Sequence, residues 1–154
     1  MDQRRIERYE RITRQLADLI ADTSPSLTAG MATICAVLHA KMPHHFWTGF
    51  YFVAGNDELH VGPYQGALAC QVLKGSGVCL HAAQTKSPVI VPDVSAFPGH
   101  LTCDARSKSE IVIPVLKGEC VVAVLDIDAA VLSAFTDADV TPLTRIVRLL
   151  DPLL

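Results

Sequence analysis

Cys103 lies within a strongly polar stretch of the chain, residues 99–110 (GHLTCDARSKSE). Free cysteines are usually small buried apolar residues, so a thiol in a segment too polar to bury needs another explanation. A thiol reacts as its thiolate, which the cations Arg106 and Lys108 would favour and Asp104 would oppose. These residues therefore leave two interpretations open, a reactive nucleophile and an incidental surface thiol.

The other cysteines of the chain differ in their surroundings. Its five cysteines are an odd number, which argues against a structural disulfide framework in a chain expected to be cytoplasmic. Cys35 falls on the apolar face of a predicted helix and is expected in the core. Cys70 ends a strand-like run and Cys79 follows a Gly-Ser-Gly bend, so both are candidates for redox chemistry.

Metal binding is the alternative use of these thiols. His100 with Cys103, and Cys79 with His81, are pairs of possible ligands. Zinc sites usually contain repeated Cys-x₂₋₄-Cys pairs, and this sequence contains none. We therefore expect no bound metal.

Three carboxylates form a second candidate group. Asp126 and Asp128 close a very apolar strand (VLDIDA), and the alternation of side chains along a strand places both on one face. Such a pair repels unless a cation, such as a ligand amine, or a shared proton lies between its members. The other interpretation is a strand that simply ends in solvent. Glu110 begins the preceding strand and is expected near the level of Asp126, facing the same pocket.

Trp47 and Tyr51 are the aromatic members of this candidate site. They lie four residues apart in an aromatic, strand-like segment and therefore share a face. An aromatic wall beside acids and a thiol suits a small ligand that has a methylthio-like end and an amine. Packing in the core would also explain both side chains.

The composition excludes several classes of function. The chain has 154 residues, 50% of them hydrophobic, which predicts one folded domain with a sizeable core. A net charge of −3 without a basic run does not favour nucleic-acid binding. Charged residues interrupt every apolar run before it reaches membrane-spanning length, and the N-terminal segment lacks the apolar region of a secretory signal. We expect a cytoplasmic protein without membrane association.

Helices are expected at both ends of the chain. Apolar residues recur at helical spacing between Ile6 and Leu19. A second helix should begin at Thr23 or Ser24 as its N-cap, with Pro25 in the first turn. Thr136 should cap the last helix, which acidic residues open, unless Pro142 shifts the start of the helix to Thr141.

The middle of the chain predicts an antiparallel sheet. We expect strands at 45–53, 58–61 continuing through 62–69, 88–91, 109–116 and 119–127, a short helix at 78–85 and a long loop at 92–108. The last two strands form a hairpin with apolar runs typical of a central position. The fold class is therefore α+β, a single domain over 1–154 whose central sheet packs against helices. Its parts are N-terminal helices (1–41), sheet and active-site loops (45–128) and a C-terminal helix (136–150).

An ordered set of motifs resembles one known family. FWTGFYFV, GPYQGALAC, GSGVC, the run DV…F.GH..CDA.S.SEIV.P and VAVLDIDA follow one another as they do in the GAF-domain free methionine-(R)-sulfoxide reductases. The resemblance covers nearly the whole chain and is strongest over 46–139. It implies a GAF-like domain that reduces free methionine-(R)-sulfoxide.

The resemblance also implies roles for the three cysteines. Cys103 matches the catalytic cysteine, Cys70 the recycling cysteine, and Cys79 a third family cysteine that can also enter a disulfide. The expected chemistry passes through a Cys103 sulfenic acid and an intramolecular disulfide that thioredoxin reduces. Leu80-His81 follow Cys79 where a small Gly-Thr pair is commoner in the family.

The remaining implied roles concern the substrate and the assembly. Trp47 and Tyr51 match substrate-pocket aromatics, and Glu110, Asp126 and Asp128 match the acids that bind the amine and the sulfoxide, with Glu110 a candidate proton donor. Family members are homodimers that need no metal or organic cofactor. Two alternatives remain: a GAF sensor that binds a small ligand without turnover, and a redox-sensing or metal-binding protein that uses the same thiols.

Overall fold

A computed structural model describes residues 3–21, 23–100 and 103–154. The helices are α1 (Gln3–Ile20), α2 (Leu27–Lys41), α3 (Val78–Thr85) and α4 (Asp137–Val147), with 3₁₀ turns at Val94–Ala96 and Arg148–Leu153. The strands are β1 (Trp47–Gly55), β2 (Glu58–Gln65), β3 (Val72–Lys74), β4 (Val89–Val91), β5 (Ser109–Lys117) and β6 (Cys120–Ala129).

The six strands form one antiparallel sheet in the order β3-β2-β1-β6-β5-β4. The predicted α+β class is therefore confirmed. The apolar strand β6 lies at the centre beside β1, as its continuous hydrophobic run predicts. Strand β5 separates β6 from the short edge strand β4.

The two faces of the sheet pack against different layers. Helices α1, α2 and α4 cover one face, where Phe50, Ile113 and Leu125 belong to the larger core. Helix α3 covers the other face, where Val112 and Val124 belong to a smaller core. Successive strand residues alternate between these layers, which determines which side chains can meet.

The helix boundaries confirm one prediction and correct others. Helix α4 begins after Thr136, whose side chain and that of Asp139 form a capping box. Helix α2 begins later than predicted, because Ser26, rather than Thr23 or Ser24, accepts a hydrogen bond from the N–H of Ala29. Pro25 therefore precedes the helix and is not in its first turn.

Two further expectations were wrong in their extent. The return strand β2 stops at Gln65 and does not continue through 62–69, because Gly66 adopts φ +121°, outside the extended region. Ile6 and Leu19 of α1 are 37% and 45% exposed, although both fit the apolar spacing. The buried stripe of α1 consists of Tyr9, Ile12, Leu16 and Ile20.

In the described part of the chain, no helix is both long and apolar enough to cross a membrane.

Candidate active site

Three neighbouring strands bring the predicted acids and Trp47 into one row. In the sheet register, Asp128 of β6 lies opposite Trp47 of β1 on one side and Glu110 of β5 on the other. Asp126 shares their face because it is two residues away along β6. Glu110 was expected near the level of Asp126, but Val112 is the partner of Asp126.

A β-bulge causes this difference in register. Lys117 pairs with Cys120 at the turn, but the register shifts by one residue between Val115 and Leu116. The bulge moves Glu110 from a position opposite Ile127, whose side chain lies on the other face, to the position opposite Asp128. The bulge therefore brings the acids together.

The row of acids lines a pocket on the face covered by α3. The predicted residues that line it are Trp47, Tyr51, Cys79, Cys103, Glu110, Asp126 and Asp128. The start of α3, the segment around Leu68 and the segment that contains Cys103 close its sides. Seven of the eight predicted site residues thus line one pocket, and the eighth, Cys70, is bonded to one of them.

Gly49 makes room for the aromatic wall. It lies opposite Asp126 in the register, and a Cβ atom there would be 2.2 Å from Cη2 of Trp47. The indole of Trp47 therefore lies across the position of the missing side chain and stacks on Tyr51, with 5.8 Å between ring centroids. Tyr64 also stacks on Trp47, at 5.4 Å.

Burial and mutual repulsion raise the pKa values of the acids. Burial and the neighbouring Asp126 raise the pKa of Glu110 well above its usual range. Burial and the neighbouring Asp128 do the same to the pKa of Asp126. Burial raises the pKa of Asp128 to about 6, although a hydrogen bond from Ser107 opposes the rise. The cluster therefore favours a proton or a cationic group among its carboxyls.

Asp126 leaves one acceptor without a protein partner. Its side chain is only 7% exposed, and its Oδ1 atom accepts no hydrogen bond from the residues that the structure describes. A buried acceptor without a partner is costly, so a ligand that donates a hydrogen bond there would be stabilised. A primary ammonium group has both the positive charge and the hydrogens for this position.

Cys70 and Cys103 form a disulfide beside the pocket. They are 33 residues apart in sequence, and their Cα atoms are 5.6 Å apart. Cys103 is exposed and Cys70 is half-buried, so the bond is accessible from solvent. The polar surroundings of Cys103 thus correspond to a surface position, as the sequence indicated.

Cys79 occupies a different environment, in the first turn of α3. Its thiol is buried, and its Sγ atom donates toward Oε1 of Glu110 at 3.8 Å. Burial and the nearby Asp126 raise the pKa of the Cys79 thiol well above its usual range. Cys79, which the sequence placed only after a Gly-Ser-Gly bend, therefore lies in the smaller core. Its thiol stays protonated, which makes it a poor nucleophile.

The segment that follows Cys103 is attached to the rest of the site. Arg106 binds Asp104 through two nitrogens, at 3.0 and 2.7 Å, and its guanidinium lies 4.7 Å from the centroid of the Phe46 ring. The hydroxyl of Ser107 donates to Oδ1 of Asp128. These contacts position the segment over the acids, and they engage the Arg106 charge that was expected to favour the Cys103 thiolate.

One group of side chains brings three possible metal ligands close together. Possible ligand atoms of Cys79, Glu110 and Asp126 lie within 4.8 Å of one another. The two ligand pairs suggested by the sequence, His100 with Cys103 and Cys79 with His81, do not form such a group within the described residues.

Sequence reasoning missed several residues of the site, among them Gly49, Ser107 and Leu68. Gly49 carried a signal, since an isolated glycine in an aromatic strand indicates a close approach of another group. Ser107 and Leu68 carried none, because their roles depend on contacts with Asp128 and with the pocket rim.

Comparisons with known proteins identify the family to which the chain belongs. The family model of the GAF domain matches residues 10–151. The chain is 37% identical to the free methionine-R-sulfoxide reductase of Escherichia coli, over 96% of this chain and 89% of that protein. A structure of the free methionine-R-sulfoxide reductase of Neisseria meningitidis with its substrate superposes with a TM-score of 0.88, at 36% identity, over 94% of this chain and 86% of the other. The reduced fRMsr of Staphylococcus aureus has a TM-score of 0.88 at 39% identity, over 95% and 94%. The chain therefore belongs to the GAF-domain family, in the group of free methionine-(R)-sulfoxide reductases.

Proposed function

We propose that this protein reduces free methionine-(R)-sulfoxide to methionine through a thiol relay. The observation that carries the proposal is the disulfide between Cys70 and Cys103 beside a pocket of buried acids and aromatic rings. A sensor would need the pocket alone. A disulfide beside the pocket supports a transfer of electrons from the reduced Cys70 and Cys103 to the bound ligand.

The pocket suits a free amino acid with an apolar sulfur end. The rings of Trp47 and Tyr51 would contact the methyl group, and the carboxyls of Asp126 and Asp128 would hold the ammonium group. Helix α3 begins at this pocket, and its N-cap Gly77 supplies no side-chain cap, so its first amides suit the α-carboxylate. A residue within a peptide lacks both charges and would bind poorly.

The first chemical step transfers oxygen from substrate to enzyme. The Cys103 thiolate attacks the sulfoxide sulfur, and the oxygen departs to Cys103 as it receives a proton. Glu110 holds a proton because burial raises its pKa, which makes it the proton donor that we favour. Methionine leaves with its sulfur reduced, and Cys103 is oxidised to a sulfenic acid.

The second step returns the enzyme to a form that a reductant can use. The Cys70 sulfur attacks the Cys103 sulfenic acid, the S–S bond forms and water leaves. A dithiol reductant of the thioredoxin class then exchanges the disulfide open and becomes oxidised itself. The exposure of Cys103 supports this exchange, because an incoming thiolate needs access to a sulfur.

We also propose an assembly, a location and a partner protein. Resemblance to the family supports a homodimer in the cytoplasm that needs no metal or organic cofactor. Thioredoxin is the partner protein, and nucleic acid and membranes are not partners. The net charge of −3 is consistent with this choice of partners.

Turnover of the free amino acid tests the proposal directly. Purified protein is supplied with methionine-(R)-sulfoxide, thioredoxin, thioredoxin reductase and NADPH, and both methionine and NADPH are measured. We expect one methionine for each NADPH oxidised, with little activity on the (S) epimer or on N-acetylmethionine sulfoxide. Binding of the sulfoxide without release of methionine would instead support a sensor.

A further inference from the structure

We propose that Tyr51 and Trp47 position the resolving cysteine, in addition to forming the wall of the substrate pocket. Both side chains hold the segment 66–71, which carries Cys70, through hydrogen bonds from their polar ends. The inference rests on the proposed function in one respect, that Cys70 is the residue that resolves the Cys103 sulfenic acid.

Two hydrogen bonds carry this inference. The hydroxyl of Tyr51 donates to the carbonyl oxygen of Cys70 at 3.2 Å. The indole Nε1 of Trp47 donates to the carbonyl oxygen of Ala67 at 3.1 Å. Both donors belong to β1, near the centre of the sheet, and their side chains are 3% and 6% exposed. The segment is therefore attached to a rigid part of the fold.

The two ends of the segment are held as well. Gly66 opens it with φ +121°, and a Cβ atom there would lie 2.9 Å from Cδ1 of Trp47. At the other end, the N–H of Val61 donates to the carbonyl oxygen of Gln71 at 3.0 Å. Between them, Leu68 is 86% exposed, and Ala69 and Cys70 are only partly buried against the smaller core, so apolar burial holds the middle of the segment incompletely. The bonds from Tyr51 and Trp47 supply that attachment.

This attachment matters for the second chemical step. When the Cys103 sulfenic acid reacts with the Cys70 thiol, an S–S bond forms, the S–O bond breaks and water leaves. The reaction requires the two sulfurs to meet, and a segment free to sample other conformations meets its target less often. The bond from Tyr51 acts on Cys70 itself, so its loss should slow this step more than the first.

The Tyr51→Phe variant separates the two steps, because it keeps the ring against the substrate and removes only the hydroxyl. Reduced protein is mixed with one equivalent of methionine-(R)-sulfoxide and quenched at intervals. Methionine release reports the first step, and loss of the Cys70 thiol together with dimedone-trapped sulfenic acid reports the second.

We expect the ratio of the second rate constant to the first to fall about fivefold, roughly the factor that one net hydrogen bond contributes, with sulfenic acid accumulating. Tyr64→Phe is the matched control, because Tyr64 also stacks on Trp47 but makes no hydrogen bond to this segment within the described residues. Its ratio should equal that of the wild type. An unchanged ratio in Tyr51→Phe, or an equal fall of both rate constants, would overturn the proposal.

A second variant and a second oxidant test the positioning of Cys70 separately from the Tyr51 hydroxyl and from methionine sulfoxide. In Gly66→Ala the new Cβ atom would meet Trp47 and the backbone of Phe46, at a position whose φ of +121° disfavours a side chain, so the segment should be displaced and the same ratio should fall. Hydrogen peroxide oxidises a Cys103 thiolate to the sulfenic acid with release of hydroxide, so it starts the second step without methionine sulfoxide. If wild-type protein releases no methionine yet forms the disulfide with peroxide, the proposed function fails. The role of Tyr51 is then decided by the rate of disulfide formation after peroxide.

Discussion

The Sγ atom of Cys79 lies 3.8 Å from Oε1 of Glu110, at the buried end of the pocket. This contact distinguishes Cys79 from the other two cysteines of the site. Cys103 and Cys70 share a bond that solvent can reach, whereas Cys79 is surrounded by groups that raise its pKa. The protein thus has a disulfide-bonded pair and a third thiol that donates toward the acid cluster.

Cysteine variants should distinguish these roles. Cys70→Ser should release one equivalent of methionine and then stop, because no thiol resolves the Cys103 sulfenic acid. Cys79→Ser should continue to turn over with thioredoxin, since a buried protonated thiol resolves slowly. Methionine released per enzyme, measured with and without thioredoxin, checks both expectations. The exposed Cys120 is the control, and Cys120→Ser should behave as the wild type. Sustained turnover in Cys70→Ser would move the resolving role to Cys79.

Substrate affinity should depend on pH through Asp128. The pKa of this carboxyl is raised to about 6, so it loses its negative charge as the pH falls through that value. We expect KM to rise when the pH of the assay is lowered from about 7 to about 5. The reason is that a neutral carboxyl attracts the substrate ammonium group less strongly.

The Asp128→Asn variant tests the origin of this dependence. Asparagine keeps the oxygen that accepts from Ser107 but carries no charge. KM at neutral pH should rise about tenfold or more, as expected for loss of one charge-assisted hydrogen bond. The dependence of KM on pH between these two values should also become weaker. If KM of Asp128→Asn depends on pH as strongly as that of the wild type, another group titrates.

The same variant should stabilise the protein without substrate. The pKa of Asp128 is about 6 in the folded protein and about 4 in the unfolded chain, so the folded state binds the proton more tightly. The stability that this carboxyl contributes is present below about pH 4 and is lost as the pH rises through 6. Asp128→Asn should therefore raise the free energy of unfolding at neutral pH by about 2 kcal/mol.

Urea denaturation at acidic and neutral pH measures this effect. The increase in the free energy of unfolding that Asp128→Asn causes relative to the wild type should become smaller toward acidic pH, where Asp128 itself is protonated. Asp93→Asn is the control, because hydrogen bonds from Ser95 lower the pKa of the half-buried Asp93 below its usual value, which favours its charged form at both pH values. An equal gain at both pH values would indicate an effect other than titration.

Gly49→Ala should damage the aromatic wall. The new methyl group would lie where the Trp47 indole passes, and overpacking of this kind costs about 1–3 kcal/mol. Thermal unfolding should show the lower stability, and KM should rise because the ring is displaced. Gly55 in the same strand is the matched control, since a Cβ atom there meets no atom within 4 Å. Equal effects of both substitutions would indicate a general loss of strand flexibility.

Much of this arrangement follows from local sequence patterns. Alternation along a strand places Asp126 with Asp128, and Trp47 with Tyr51, whatever the rest of the chain does. The polar stretch around Cys103 predicts its exposure. The N-cap Thr136 and its acidic partner predict the start of the last helix. Such features depend on backbone geometry and on residues a few positions apart.

The tertiary structure decided the features that depend on distant parts of the chain. A one-residue bulge between Val115 and Leu116 places Glu110 opposite Asp128, and no local sequence pattern predicts this bulge. The residues alone did not indicate which thiols pair, because the 33 residues between Cys70 and Cys103 must fold before their sulfurs can meet. The sequence by itself determined which side chains are available and which neighbours share a face. Only the long-range pairing of strands and the packing of α3 decided which thiol is buried and which are bonded, because these contacts join residues far apart in the chain.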